Sequence, residues 1–170
     1  SGIGKSSAEM LLKEGHTVYC SARRVERMND LKQLGAFINY LDVTDITYAE
    51  KCINNIITEQ GRIDVLLNNA GYGLFGSVKD VPLSAAKQQF DVNVFGMTEI
   101  SKIVVPFMRS QGGGRIINMS SAGGRFCTPM GACYHGSKFA VEGISDCKGN
   151  ELKKFNIDVV LIEPGGIATE

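Results

Sequence analysis

Along the chain, segments whose apolar residues recur at helical spacing alternate with short runs that are apolar almost throughout, the patterns of amphipathic helix and buried strand. In residues 5–14, Ala8, Met10 and Leu11 stand among polar neighbours as on one helix, and Gly15 supplies its C-terminal stop. His16 to Ser21 reads as a strand, 25–33 as a charged helix, 36–41 as a second strand, and 46–60 as a helix closed by Gly61. Ile63 to Leu67 reads as a buried strand. A long helix follows over 84–109, with Pro106 set to bend it or interrupt its bonding. Strands at 115–119 and 157–162 flank the last helix, 134–154, in which Lys148-Gly149-Asn150 is an oddity, because glycine is unfavourable inside a helix. Strand and helix in this alternation predict an α/β fold, a doubly wound parallel sheet covered on both faces in three αβα layers. No linker, repeat or low-complexity stretch divides residues 1–170, which read as a single domain.

Composition narrows the function. Lys plus Arg and Asp plus Glu number 18 each, so the chain carries no basic field for nucleic acid or an anionic membrane, and a small neutral or locally recognised ligand fits better. The five cysteines, Cys20, Cys52, Cys127, Cys133 and Cys147, are odd in number and include no C-x-x-C pair, which points to neither a disulfide framework nor zinc. His16 and His135 have no second ligand at a metal spacing, so no metal site is expected, and both read as structural or exposed residues. No apolar run reaches the length of a membrane span. A reducing cytoplasm is the expected location. The chain opens at Ser1-Gly2-Ile3-Gly4, already inside a Gly-rich turn, and stops at Thr169-Glu170, so it reads as a fragment of a longer protein.

A parallel doubly wound sheet binds its ligand beyond the carboxyl ends of its strands. Each strand here ends in a suggestive cluster: Ala22-Arg23-Arg24, Asp42-Val43, Asn68-Asn69-Ala70-Gly71, Ser120-Ser121, and Pro164-Gly165-Gly166. Tyr134 and Lys138 lie four residues apart, so on a helix they share a face. A free phenol keeps its proton to about pH 10, a nearby ammonium favours the phenolate, and the pair can exchange a proton with a carbonyl or alcohol oxygen. The alternative for that pair is an exposed helical contact worth a few tenths of a kcal/mol.

Taken in order, these residues resemble the short-chain dehydrogenase/reductase family over essentially the whole chain. The matching pieces are Gly2-Ile3-Gly4, Asp42-Val43, Asn68-Asn69-Ala70-Gly71, Asn93, Ser121, Tyr134-x-x-x-Lys138 and Pro164-Gly165-Gly166-Ile167-Ala168-Thr169. The resemblance implies a Rossmann-like fold in which Ser121 polarises the substrate, Tyr134 is the acid/base, Lys138 holds the nicotinamide ribose and tunes the tyrosine, and Asn93 serves a water-linked proton relay. It places Gly2, Ile3 and Gly4 at the cofactor phosphates, Asp42 and Val43 beside the adenine, Asn69, Ala70 and Gly71 on the cofactor floor, and Pro164, Gly165, Ile167 and Thr169 at the nicotinamide end. Ser120, the neighbouring hydroxyl, is expected to point elsewhere and to cap backbone. Asn68 and Asn69 also fit ordinary cap and turn positions.

In dinucleotide folds an acid after the second strand suits NAD, and an arginine there suits the 2′-phosphate of NADP. The turn Ser21-Ala22-Arg23-Arg24 holds no acid, Arg23 can make charge-assisted bonds to phosphate, and Arg24 can assist. NADP(H) is therefore expected over NAD(H), and Ser1 adds nothing to that choice. Relative to the family, the first strand and the C-terminal substrate region are absent; that strand would lie between 16–21 and 63–67, so two strand edges are expected to lack partners. The expected activity is hydride transfer between nicotinamide and a ketone or secondary alcohol. Residues around Asn93 and from Gly131 to Lys138 are similar to relatives acting on hydrophobic carbonyls such as steroids, retinoids or acyl ketones. The alternatives are a dinucleotide-binding regulatory protein without turnover and a fragment inactive by itself. A homodimer or homotetramer through 84–109 and 134–154 is expected of the full-length protein.

Overall fold

A computed structural model describes residues 2–167, so Ser1, Ala168 and the cofactor candidate Thr169 lie outside the described residues. The elements are α1 (Gly2–Lys13), β1 (Tyr19–Ala22), α2 (Asn29–Gln33), β2 (Phe37–Tyr40), α3 (Ile46–Gln60), β3 (Val65–Asn68), α4 (Leu83–Phe90), α5 (Met97–Ser110), β4 (Gly114–Met119), α6 (Ala132–Leu152) and β5 (Ile157–Ile162). Local chemistry sets several bounds. Asp45 caps α3 by accepting from the Tyr48 N–H, and Gly61 ends it at φ 74°, a left-handed turn that suits glycine. The charged helix expected at 25–33 is a 3-10 turn, Val25–Met28, that leads into the short α2.

All strand pairings are parallel, as the alternation required. They form two sheets, β1-β2 and β3-β4-β5, and no strand pairing joins them among the described residues. Only β4 has two strand partners among the described residues; β1 and β3, the two edges expected to lack a partner, have one each, as do β2 and β5. Three layers are complete over β1-β2: α1, the Val25–Met28 turn and α2 bury Ala8, Met28 and Leu31 against Val18, Cys20 and Ile38, while α3 approaches from the opposite side, where Tyr19 Oη donates to Glu59 at 2.7 Å. Beneath β3-β4-β5, α3, α5 and α6 bury Ile53, Val104, Met108, Ile116 and Ile157 in one cluster. The strand faces alternate as the pleat demands, and the second face of this sheet leaves Val65, Val160 and Ile162 exposed.

The long helix of 84–109 is not regular. Between α4 and α5 it widens into a π-helical stretch, Asp91–Gly96, that carries Asn93. Such a bulge re-aims side chains and is frequent at functional sites. At its end stands Gly96, where a Cβ would lie 2.7 Å from the Val43 carbonyl oxygen, so the helix reaches the backbone after β2 only because this position is glycine. Pro106 sits inside α5 without ending it.

Gly149 lies inside α6, and a Cβ there would make ordinary contact with Val159 Cβ at 3.8 Å. The glycine answers no steric need. Gly149→Ala should stabilise the protein by about 0.5–1 kcal/mol, raising Tm by about 2 °C in a calorimetric scan. Gly96→Ala should lower it, through its collision with Val43.

Candidate active site

The site forms where β3, β4 and β5 end. Ser120 N–H donates to the Ile162 carbonyl at 2.8 Å and Ala122 N–H to the Pro164 carbonyl at 2.9 Å, so the chain beyond β4 runs beside the chain beyond β5 and brings Ser121 to Pro164. Ser121 Oγ accepts from the Gly123 N–H at 3.0 Å, capping a short 3-10 turn, Ala122–Gly124. Its own hydrogen has only the Pro164 carbonyl, at 3.5 Å, so it remains free to turn toward a substrate oxygen. The cap expected of Ser120 belongs to Ser121: Ser120 is buried and its hydroxyl has no hydrogen-bond partner.

α6 presents Tyr134 and Lys138 toward the same place. Tyr134 is half-buried, its ring 5.4 Å from that of the exposed Phe75. Lys138 is buried, its Nζ donates to the Met119 carbonyl at 2.8 Å and lies 5.9 Å from the Tyr134 ring centroid. Burial pushes the Lys138 ammonium down to about 8, while Glu142, one turn along α6, pulls it back up. Glu142 is itself buried and lies 3.0 Å from Arg125 Nη2 as an ion pair without hydrogen-bond alignment. Arg125 also donates to Glu163 at 2.7 Å. This guanidinium therefore ties the turn of Ser121 to the helix of Tyr134 and to the end of β5. The i, i+4, i+8 row Tyr134, Lys138, Glu142 was present in the sequence and could have pointed to Glu142.

Asn93 is buried in the π stretch. Its Oδ1 accepts from the Tyr72 N–H at 3.0 Å, and its Nδ2 donates to the Tyr72 carbonyl at 2.9 Å and to Ser137 Oγ at 3.0 Å. It thereby fixes the loop after β3. Gly71 lies within this group, since a Cβ there would stand 3.2 Å from Asn93 Oδ1 and 3.6 Å from Lys138 Nζ. Ser121, Tyr134, Lys138, Asn93, Gly71 and Pro164 are thus brought together.

The remaining candidates lie at the start of α1, around Asp42 and at the strand ends. Gly4, in the first turns of α1, meets Asn69: a Cβ would stand 2.6 Å from Asn69 Nδ2, so this approach needs glycine beside a helix N-terminus that favours phosphate. Gly2 takes φ 61° at the start of that helix, next to Ile3. Asp42 Oδ1 accepts from Thr44 N–H and Oγ1 at 3.0 and 2.8 Å, bonds that hold its carboxyl below the usual range. A depression of about 350 Å3 beside Asp42 is lined by Arg23, Thr44, Phe95 and Gly96; Val43 does not line it, and its carbonyl packs against Gly96. Arg23 is well exposed, with Asp42 at 4.0 Å. Arg24 is exposed ahead of the 3-10 turn and joins none of these contacts. Ala70, Gly165 and Ile167 are exposed at the strand ends.

The whole chain, residues 1–170, matches the short chain dehydrogenase family. It is 39% identical over 170 residues to 3-ketodihydrosphingosine reductase of Bacteroides thetaiotaomicron, covering 99% of this chain and 61% of that protein. It is 35% identical over 179 residues to the NADPH-dependent 3-dehydrocapnine reductase of Ornithobacterium rhinotracheale, covering 100% of this chain and 63% of the relative. A crystal structure of a short-chain dehydrogenase from Streptomyces avermitilis superposes with TM-score 0.97 at 33% identity, over 100% of this chain and 64% of that one. A metagenomic short-chain oxidoreductase solved in complex with NADP superposes with TM-score 0.91 at 28% identity, over 100% of this chain and 80% of that one. With two parallel sheets, a glycine-lined helix start and a Ser-Tyr-Lys cluster at the strand ends, the chain belongs to the short-chain dehydrogenase/reductase family, whose cofactor is a nicotinamide dinucleotide. It spans about three fifths of the length of these two curated relatives.

The depressed Lys138 value has a measurable consequence. The folded chain releases this proton earlier than the unfolded chain, so the group's contribution to stability is least at neutral pH and recovers as pH rises from about 8 toward 10.5. The Lys138 Cε resonance, identified by its loss in Lys138→Arg, should titrate with a midpoint of about 8. A midpoint at the free-lysine value would contradict the burial described.

Proposed function

We propose that this chain carries the cofactor and catalytic machinery of an NADP(H)-dependent oxidoreductase acting on a ketone or secondary alcohol. The observation that carries the reading is Lys138, a buried ammonium placed on the Met119 carbonyl 5.9 Å from the Tyr134 ring, with Ser121 delivered to the same corner by β4. Bound nicotinamide supplies or accepts the hydride. Ser121 donates its free hydroxyl hydrogen to the substrate oxygen and polarises the carbonyl. Tyr134 gives its phenolic proton to that oxygen as the alcohol forms, or takes it in the reverse direction. Lys138 holds the nicotinamide ribose and stabilises the phenolate left on Tyr134. Asn93 spends its side-chain amide on Tyr72 and Ser137, so its contribution in this geometry is to hold the Gly71 loop under the site, and a water-linked relay rests on the family resemblance. Gly2, Ile3, Gly4, Asn69, Ala70 and Gly71 line the cofactor path; Pro164, Gly165 and Ile167, with Thr169 by resemblance, close it.

The preference for NADP(H) rests on Arg23, exposed and held only loosely by Asp42, in a turn without an acid. Arg24 has no contact that adds to it. The similarity to an NADPH-dependent relative and to a neighbour solved with NADP agrees. A purely regulatory binder would not need the buried ammonium beside a phenol. Phe95 and Phe139, exposed in the two long helical segments, support a homo-oligomer. No helix among the described residues is long and apolar enough to cross a membrane, and all five cysteines are free, in keeping with a reducing compartment.

Tyr134→Phe should lower kcat by about 10²–10⁴-fold while cofactor Kd stays within about threefold; unchanged turnover would refute the acid/base role. Titration of nicotinamide fluorescence should show tighter binding of NADPH than NADH. Arg23→Ala should weaken NADPH by about ten- to hundredfold, the loss of a charge-assisted contact of about 1.5–3 kcal/mol, and leave NADH unchanged. Tighter NADH binding by the native chain would overturn the Arg23 assignment, and binding of neither would assign this chain no cofactor site of its own.

A further inference from the structure

His135 adjoins Tyr134 in sequence but faces away from it around α6, and sequence reasoning leaves it as a structural or exposed residue. It is 5% exposed, and its ring fills the interior of the segment running from Ser121 to Tyr134. Nδ1 lies 2.9 Å from the Gly123 carbonyl oxygen. Nε2 lies 3.1 Å from the Thr128 backbone nitrogen and 2.9 Å from Thr128 Oγ1. A carbonyl only accepts and a backbone N–H only donates, so the two partners fix one neutral tautomer: the proton sits on Nδ1 and is donated to Gly123, and Nε2 accepts from Thr128.

Gly123 is gripped from both sides. Its N–H goes to Ser121 Oγ at 3.0 Å and its carbonyl to His135. A single peptide residue therefore connects the Ser121 hydroxyl to the helical turn that bears Tyr134. The glycines around the ring make room for it. A Cβ on Gly131 would stand 2.5 Å from His135 Cδ2, and one on Gly123 would stand 3.0 Å from His135 Nδ1 and 3.1 Å from Tyr134 Cε1.

We propose that His135 is a positioning residue that, through the Gly123 peptide, sets the Ser121 hydroxyl relative to the Tyr134 phenol. The role rests on the reading of Ser121 and Tyr134 given above. A merely space-filling imidazole would need neither tautomer nor a particular bond. The Gly123 bond is the one that reaches Ser121, whereas the Thr128 bond only closes the loop. An asparagine side chain can place its amide N–H near the position of Nδ1, and a glutamine can place its carbonyl oxygen near that of Nε2. The two variants thus separate the bonds.

The first test is the imidazole ¹⁵N spectrum of the native chain, which needs no turnover. A single tautomer protonated at Nδ1 and bare at Nε2 is expected; a tautomer mixture, or a proton on Nε2, would overturn the proposal whatever the variants do. The second is kinetics of His135→Asn, His135→Gln and His135→Phe, each checked for folding by circular dichroism, alongside Tyr134→Phe. The Gln and Phe variants should lose about tenfold or more in kcat with cofactor KM within about twofold, as misplacement of catalytic groups does, and the Asn variant should retain within about threefold. Equal loss in Asn and Gln, or native kcat in Phe, would show that the Gly123 bond positions nothing. If Tyr134→Phe alone keeps native turnover, the acid/base reading fails, and the tautomer result still judges the hydrogen bonds to Gly123 and Thr128.

Discussion

A ladder of buried amides and hydroxyls holds the site-bearing half of the molecule in register. Asn68, the last residue of β3, donates to Asn118 on β4 at 2.8 Å and to Ser101 on α5 at 3.2 Å, and Asn118 donates onward to Ser145 on α6 at 2.9 Å. Ser101 and Ser145 return their hydroxyl hydrogens to the Met97 and Val141 carbonyls. All four side chains are buried. In a low-dielectric interior such a chain is directional, and losing one member leaves its partner unsatisfied at a cost of about 1–3 kcal/mol. Apolar packing of α5 and α6 on the sheet would tolerate a slide along the strands. The ladder does not, and it stops one residue short of Met119, the carbonyl that receives the Lys138 ammonium.

From that anchor the site is assembled by close approaches. Gly96 lets the π stretch touch the backbone at Val43, Gly4 lets α1 touch Asn69, and Gly124 lets the Ser121 turn lie against Glu142 and Ser120. Each removes a side chain so that a polar group or backbone from another element can occupy its place. Arg125 then closes the assembly by pairing with Glu142 and Glu163, two carboxylates from different elements. An exposed pair of this type contributes little, but here one carboxylate is buried, and leaving it uncompensated would be costly.

The two sheets express the same economy in a different way. The first strand that the family resemblance implies would lie between the segments that here form β1 and β3, and each of these has one strand partner among the described residues. The whole chain superposes on a short-chain dehydrogenase at TM-score 0.97, so both sheets lie where that fold has them. α3 spans the two sheets, meeting β1 through Glu59 and the β3-β4-β5 core through Ile53.

The sequence alone made the strand-helix alternation, the parallel pairing and the Tyr134-Lys138 face legible, because periodicity, cap residues and i, i+4 spacing are local properties. α3 and β5 fall where the apolar pattern puts them, and the strand-end clusters identify where chemistry gathers. Asn93 was legible as out of place in a helix, but not that the helix widens there or that Gly96 in the same stretch packs on Val43, about fifty residues away in sequence. That Ser121 rather than Ser120 caps the turn was likewise hidden, because alternation predicts opposite faces without saying which face meets Gly123. His135 read as incidental for the same reason: its partners, the Gly123 carbonyl and the Thr128 N–H, lie in a loop whose path no local pattern dictates. Sequence determined which residues are candidates for the chemistry. Tertiary structure decided which of their polar atoms are spent on one another and which, like the Ser121 hydrogen, stay free to act, because hydrogen bonds between distant segments depend on the register of whole elements.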